Sequence, residues 1–332
     1  MFAEKTVLVL GAGASAPYDF PSGEGLVGHV VDGLKTGSGL FECVRQMHER
    51  SLWAEFSERL RPCMSVDVFL EKTENERFLG VGKACIAAAL LPKEDKDALF
   101  GKPANGRSWY KQLFDFMVEG TQSIDDFKKN TLSVITFNYD RSLEYYLVTA
   151  LHHLYSGKTM EQCYEKVRAV KIIHIYGKLG DLPWEVHDGT APAAHLSVPI
   201  PYGEQALRET PQDTLFAQRP VVTAAAGNIQ IISEGIDDTE KLEQARRLLR
   251  ESSKVFILGF GFHPTNLRRL KLESLTCHQL KCTTHELSAD RYRLLAGCPG
   301  LTQRIDAAFP HLSDFGWFDG KIDEFIQKVG LM

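Results

Sequence analysis

Short apolar runs that end in glycine or polar residues set the pattern of this chain. Val7-Leu8-Val9-Leu10 runs into a glycine cluster, and Leu132 to Phe137, Val170 to Ile175 and Val255 to Leu258 have the same character. Continuous, partly β-branched runs of this length predict strands buried on both faces of a parallel sheet. Between them the apolar positions fall at helical spacing. Leu26, Val27, Val30, Val31 and Leu34 share one helical face, and Leu242, Ala245, Leu248 and Leu249 share another just before the Val255 run. Alternating strand and helix predicts an α/β fold, with a doubly wound, Rossmann-like parallel sheet.

The stretch from Phe41 to Lys129 breaks the alternation. Val66, Phe69 and Leu70, then Ala84 to Leu91, then Trp109 to Val118 keep helical spacing with no convincing strand among them. This predicts a helical insertion over 41–129 in a Rossmann-like domain formed by 1–40 and 130–332. Its apolar residues Trp109, Leu113, Phe114 and Phe116 exceed what a plain cover helix requires, which points either to contact with another chain or to a small core of the insertion's own. Pro183, Pro192, Pro199, Pro201 and Pro211 mark a loop-rich region after the third strand.

Charge and cysteine usage narrow the setting. Thirty-eight Lys and Arg against 43 Asp and Glu leave a formal charge of -5 over 332 residues. That balance gives no global reason to bind nucleic acid or anionic lipid, so direct nucleic-acid binding is not expected. No apolar run approaches the roughly 20 residues of a membrane span. Seven scattered cysteines form no disulfide framework and read as reduced thiols of a cytoplasmic protein. Cys277 and Cys282 lie near His278 and His285, but not at the spacing of a zinc knuckle, so no metal is expected. Ala14-Ser15-Ala16 looks like a signal-peptide cleavage site, yet Gly11 and Gly13 break the run before it. A buried strand entering a glycine-rich turn explains those residues better.

Four motifs carry candidate chemistry. Gly11-Ala12-Gly13-Ala14-Ser15 follows the first strand, where glycines let a backbone approach a pyrophosphate and its amides donate to the oxygens. A dehydrogenase would need an unbroken helix next, and Pro17 and Pro21 forbid it, so Asp32 belongs to a later helix starting near Glu24. Thr136-Phe137-Asn138-Tyr139-Asp140 closes the second strand, where Asn138 and Asp140 would project into a ligand crevice; Asp140 is equally placed to cap the helix after it. In Ile172-Ile173-His174-Ile175-Tyr176-Gly177, His174 leaves a strand as a candidate general base, or packs in the core. Leu258-Gly259-Phe260-Gly261-Phe262-His263 puts two more glycines at a strand end, for a ligand or a plain turn.

Taken in order, these motifs resemble the sirtuin-like family, in its bacterial NAD-hydrolysing branch. Gly11-Ala12-Gly13-Ala14-Ser15 looks like the family's opening signature, and Phe20-Pro21 its hydrophobic-Pro step. Thr136, Asn138 and Asp140 are similar to its nicotinamide-ribose motif, and Gly259-Phe260 to the turn on its adenosine side. The resemblance implies hydrolysis of the nicotinamide-ribose bond of NAD, by a regulated effector of antiphage defence that self-associates or docks a partner defence protein. It implies NAD as the substrate, catalysis by Asn138, His174, Asp140 and Tyr176, and binding by Gly11, Ala12, Gly13, Ser15, Phe20, Pro21, Gly177, Gly259 and Phe260. Two departures stand out. The zinc-binding cysteine pairs of the deacylases are missing, and Tyr176 occupies the place of the catalytic histidine, with His174 two residues upstream. Alternation along an extended strand would put both side chains on one face. The competing expectation is a module that binds NAD or ADP-ribose without turning it over.

Overall fold

The computed structural model describes residues 1–101, 108–185, 200–203, 215–231, 240–262, 264–272, 275, 277–283 and 314–331. Pro192, Pro199, Pro211, His263 and His285, named above, lie outside them, as does Cys298. Six strands form one parallel sheet: β1 (Thr6–Leu10), β2 (Leu132–Thr136), β3 (Lys171–His174), β4 (Lys254–Leu258), β5 (Gln279–Thr283) and β6 (Asp314–Phe318). Their order is β3-β2-β1-β4-β5-β6, so the winding reverses between β1 and β4. The fold is the expected α/β, Rossmann-like one. Leu10 lies level with both Thr136 and Leu258, and Thr136 with His174, so four strands end on one line. In open sheets of this kind ligands bind beyond those ends, at the reversal.

All five residues of β1 are buried, as its continuous apolar run requires. β2 and β3 stop one residue short of the apolar runs that announced them, although Phe137 N still donates to Leu10 O and Ile175 N to Thr136 O. β5 and β6 lacked that signal. Lys281 interrupts the first and Gly316 the second, and β5 alternates in burial.

Helices cover the sheet. α1 (Gly23–Thr36) begins at Ser22, whose hydroxyl accepts from Gly25 N at 3.2 Å, and buries Leu26, Val27, Val30 and Leu34. Pro17 lies in one of two short 3-10 turns before it, so the glycine turn does not lead straight into a helix. Next come α2 (Phe41–Met47), α3 (Arg50–Leu60), α4 (Val66–Lys72), α5 (Arg77–Leu90), α6 (Lys96–Phe100) and α7 (Trp109–Val118), with no strand among the described residues of 41–129. After β2 follow α8 (Ser142–Leu154) and α9 (Met160–Val167); after β3, α10 (Leu215–Asn228) and α11 (Glu240–Glu251); then α12 (Pro264–Leu270) and α13 (Ile322–Lys328). α5 packs on α1 to α4 and on α10, which joins these helices to the main core. None of the described helices is long and apolar enough to cross a membrane.

The apolar residues of α7 expected to meet another chain are covered within this one, except Phe116, which is half-buried. Trp109, Leu113 and Phe114 are buried, with the Trp109 indole donating to Ala14 O at 2.8 Å and Phe114 facing Phe127 and Tyr146. Their apolar surface is spent holding α7 against α8 and the turn after β1, as a helix that must bury one stripe requires.

That turn also meets the turn after β4, backbone against backbone. Gly11 N donates to Leu258 O at 3.1 Å and Gly13 N to Gly259 O at 2.9 Å. A Cβ on Gly11 would lie 2.6 Å from Gly259 O, and one on Gly259, where φ is +59°, would lie 2.2 Å from Ala14 N. Gly259→Ala is therefore expected to lose at least ~2 kcal/mol of stability, from left-handed strain and a clash with rigid backbone. Gly28→Ala, in α1 with nothing within 4 Å of the new methyl, should gain about 0.5–1 kcal/mol. Urea denaturation of both variants checks the pair, and equal midpoints would refute the close-packing explanation.

Candidate functional site

The strand-end motifs come together through one hydrogen-bonded group. Ser15, buried in the turn after β1, donates from Oγ to Asp140 Oδ2 at 2.7 Å. Asn138 Nδ2 donates to the same Ser15 Oγ at 3.0 Å and to Gly11 O at 2.9 Å. Asp140 also accepts from the backbone N–H of Ser142 at 3.2 Å and from its hydroxyl. The carboxylate thus ties the turn after β1 to the start of α8, but not as the formal N-cap. Arg141 takes that place without a side-chain bond, and α8 starts at Ser142. Burial pushes the Asp140 carboxyl above its ordinary range, and the bonds from Ser142 and Ser15 pull it back in part.

Asn138 is anchored rather than free. Its Nδ2 end fixes the glycine turn, which leaves Oδ1 as the end without a partner among the described residues. The turn itself offers less to an anion than its glycines suggested. The amides of Gly11, Gly13, Ala14 and Ser15 already donate to protein carbonyls, and Ala12 N–H is the one in this run that does not do so among the described residues. Phe20 is buried, Pro21 is half-buried beside the start of α1, and Gly177 lies under the end of α10, where a Cβ would sit 2.0 Å from Asn228 O. Gly259 packs on the turn itself. Those glycines answer to packing first.

His174 and Tyr176 do not share a face, because β3 ends at His174 and the next two residues turn. His174 goes under α8. Its Nδ1 meets the Asn138 backbone O at 2.8 Å and its Nε2 meets Glu144 Oε1 at 2.5 Å. A carbonyl only accepts, so Nδ1 donates to it, and Nε2 is left facing the carboxylate. Neither ring nitrogen is open to a substrate in this arrangement. Burial opposes the charge on Glu144, but His174 and Lys178 outweigh it and hold the carboxyl below its ordinary 4.5.

Tyr176 turns the other way, to α12. Its hydroxyl donates to Asn266 Oδ1 and accepts from Arg269 Nη1 at 3.0 Å, while its ring meets Phe137 edge-on at 5.4 Å. Phe137 leads on to Phe260 at 5.1 Å and Phe260 to Phe262 at 5.4 Å, so four aromatic rings line the ends of β2, β3 and β4. Phe262 has φ +50°, a strained conformation for an aromatic residue. Burial pushes the Tyr176 phenol well up against the pull of Arg269, which favours its protonated form.

Asp67, Asn266 and Arg269 stand in no motif that marked them beforehand. Asp67 on α4 accepts from the Tyr139 hydroxyl, and burial pushes its carboxyl upward despite that bond. Asp67 and Glu71 also act on Tyr176 through space, so α4 reaches over the strand ends. Glu144 was findable, since it stands one helical turn beyond Asp140. Among the described residues no three His, Cys, Asp or Glu side chains gather as a metal site.

Two outcomes follow. Asn138→Ala should cost about 1–2 kcal/mol of stability, because Gly11 O and Ser15 Oγ each lose a donor. A melting temperature equal to that of the parent would contradict it. For Glu144, a folded pKa below the unfolded value stabilises the fold above 4.5, and the contribution disappears as pH falls through the folded value. Glu144→Gln should therefore be less stable than the parent by about 1.5–3 kcal/mol at pH 7, with a gap that narrows toward pH 3. Denaturation curves at both pH values would show a constant gap if the ion pair contributed nothing.

No protein-family model and no curated protein matches the sequence, so the site is read from its own geometry.

Proposed function

We propose that the protein cleaves the nicotinamide-ribose bond of NAD with water, giving nicotinamide and ADP-ribose. The observation that carries this reading is the joining of Ser15, Asn138 and Asp140 where the strand order reverses. Sheets of this order take dinucleotides across that reversal. The pyrophosphate would pass over the turn at Ala12 N–H, with the nicotinamide ribose toward Asn138. Nicotinamide leaves as a neutral base carrying the bonding electrons, so its departure needs no proton donor. What the site must do is fix the ribose, face the developing oxocarbenium ion and place one water.

Asn138 is suited to the placing. With Nδ2 tied down, Oδ1 has a set direction and accepts from a ribose hydroxyl or the attacking water. The rings of Phe137, Tyr176 and Phe260 offer an apolar wall whose π faces favour a cation. Asp140 acts at one remove, through Ser15 and the start of α8. His174 likewise holds the Asn138 carbonyl from below, and to relay a proton it must first leave Glu144. A part in antiphage defence, and a partner or self-association that gates turnover, rest on the family resemblance alone.

One observation favours the second reading, binding without turnover. Both candidate relays are committed to protein partners, His174 to Glu144 and Tyr176 to Asn266 and Arg269. Incubating the purified protein with NAD and following nicotinamide by chromatography separates the two. The expected result is steady release, reduced at least ~100-fold in Asn138→Ala at saturating NAD. His174→Ala should lose more rate than Tyr176→Phe, since it frees the Asn138 backbone carbonyl. Bound NAD with no nicotinamide released would establish the binding module and overturn hydrolysis.

A further inference from the structure

A second cavity lies away from the strand ends, along the open edge of β3. It encloses about 670 Å³ between β3, α9, α11 and the segment after β3, a size common for small-molecule sites. Five cationic side chains line it, Arg168, Lys171, Lys178, Lys241 and Arg247, against two carboxylates, Glu144 and Glu185. Both carboxylates are already engaged, Glu144 with His174 and Glu185 with Lys178 at 2.7 Å. Lys171, Lys241 and Arg247 form no ion pair among the described residues.

The cations are arranged rather than scattered. Lys241, Gln244 and Arg247 follow one another at three-residue spacing on α11, facing β3, while Leu242, Ala245 and Leu249 bury the opposite stripe. Loss of water and the nearby Lys178 ammonium lower the proton affinity of Lys241, against the pull of the Asp181 carboxylate. Like charges held this close are stabilised by an anion between them. Part of the lining is apolar, with the side chains of Val167, Ile172 and Leu248 and the ring of Tyr164, over which Arg168 lies at 5.8 Å. A cationic wall beside an aromatic one suits a ligand with clustered phosphates and a planar ring.

We infer that this cavity is a second binding site, for a nucleoside diphosphate or a closely similar phosphorylated nucleoside. Lys241, Arg247 and Lys171 take the phosphates and Tyr164 faces the base. The inference does not depend on NAD cleavage. Its floor is the Glu144–His174 pair, whose other contact is the backbone of Asn138, so an occupant lies one side chain away from the strand-end site.

Titration calorimetry of the full chain with ADP and with inorganic pyrophosphate tests it. The expected result is one ADP-binding event that weakens with added salt and at least ~10-fold in Lys241→Ala/Arg247→Gln. Tyr164→Ala should weaken ADP and leave pyrophosphate unchanged, and Asn138→Ala should leave this event in place. The two substituted positions on α11 are exposed; should the double variant melt below the parent, Arg247→Gln alone supplies the comparison. Absence of binding at millimolar ADP would overturn the proposal. So would ADP binding that survives the charge removal or is abolished by Asn138→Ala, which would place the ligand at the strand ends instead.

Discussion

Two backbone turns touch at the centre of this molecule with no side chain between them, and the rest of the site is built around that contact. The turn after β1 and the turn after β4 lie where the sheet reverses its winding, and Gly13 N donates to Gly259 O across the gap. Any Cβ at Gly11, Gly13 or Gly259 would meet backbone within 3 Å. The crevice that a sheet of this order offers beyond its strand ends is bordered on the β2 and β3 side by Asn138, Tyr176 and the aromatic rings.

Buried polar ties then set the surroundings of that crevice. Ser15, Asn138 and Asp140 join the first turn to α8, and His174 joins β3 to α8 through Glu144. The Arg141 guanidinium, fully buried, pairs with Glu94 and donates to the carbonyl of Ile200 at 2.6 Å, which fastens chain from before β2 and after β3 to the same helix start. Removing one partner of such a pair leaves an uncompensated charge in a medium that cannot solvate it. Three successive residues, Asp140, Arg141 and Ser142, thereby anchor loops that are far apart in the sequence. The groups that aim the site are the ones that hold the fold together.

The sheet and its covering helices were legible because burial on both faces leaves a plain mark. The runs at Val7, Leu132, Val170 and Val255 became β1 to β4, and the spacing from Trp109 to Val118 gave α7 its bounds. β5 and β6 escaped because Lys281 and Gly316 interrupt their apolar character. The strand-end motifs were found and do converge. Their contacts were not foreseeable, since a side chain's partner depends on tertiary packing. His174 and Tyr176 diverge because β3 ends between them, a matter of one residue. The glycine amides are consumed by the opposite turn, 245 or more residues away in the chain, and Arg269 reaches Tyr176 from a helix with no local signal. Trp109 misled for a related reason. Its apolar surface was real, but the face that covers it belongs to the turn after β1.

A crystal structure of the protein with NAD, collected before turnover, addresses the placement most directly. The expected density puts the pyrophosphate over the turn at Ala12 N–H and the nicotinamide ribose within hydrogen-bond reach of Asn138 Oδ1. The aromatic wall of Phe137, Tyr176 and Phe260 should lie beside the scissile bond. NAD bound elsewhere on the molecule, with Asn138 Oδ1 still facing solvent, would contradict the placement and the reaction proposed from it.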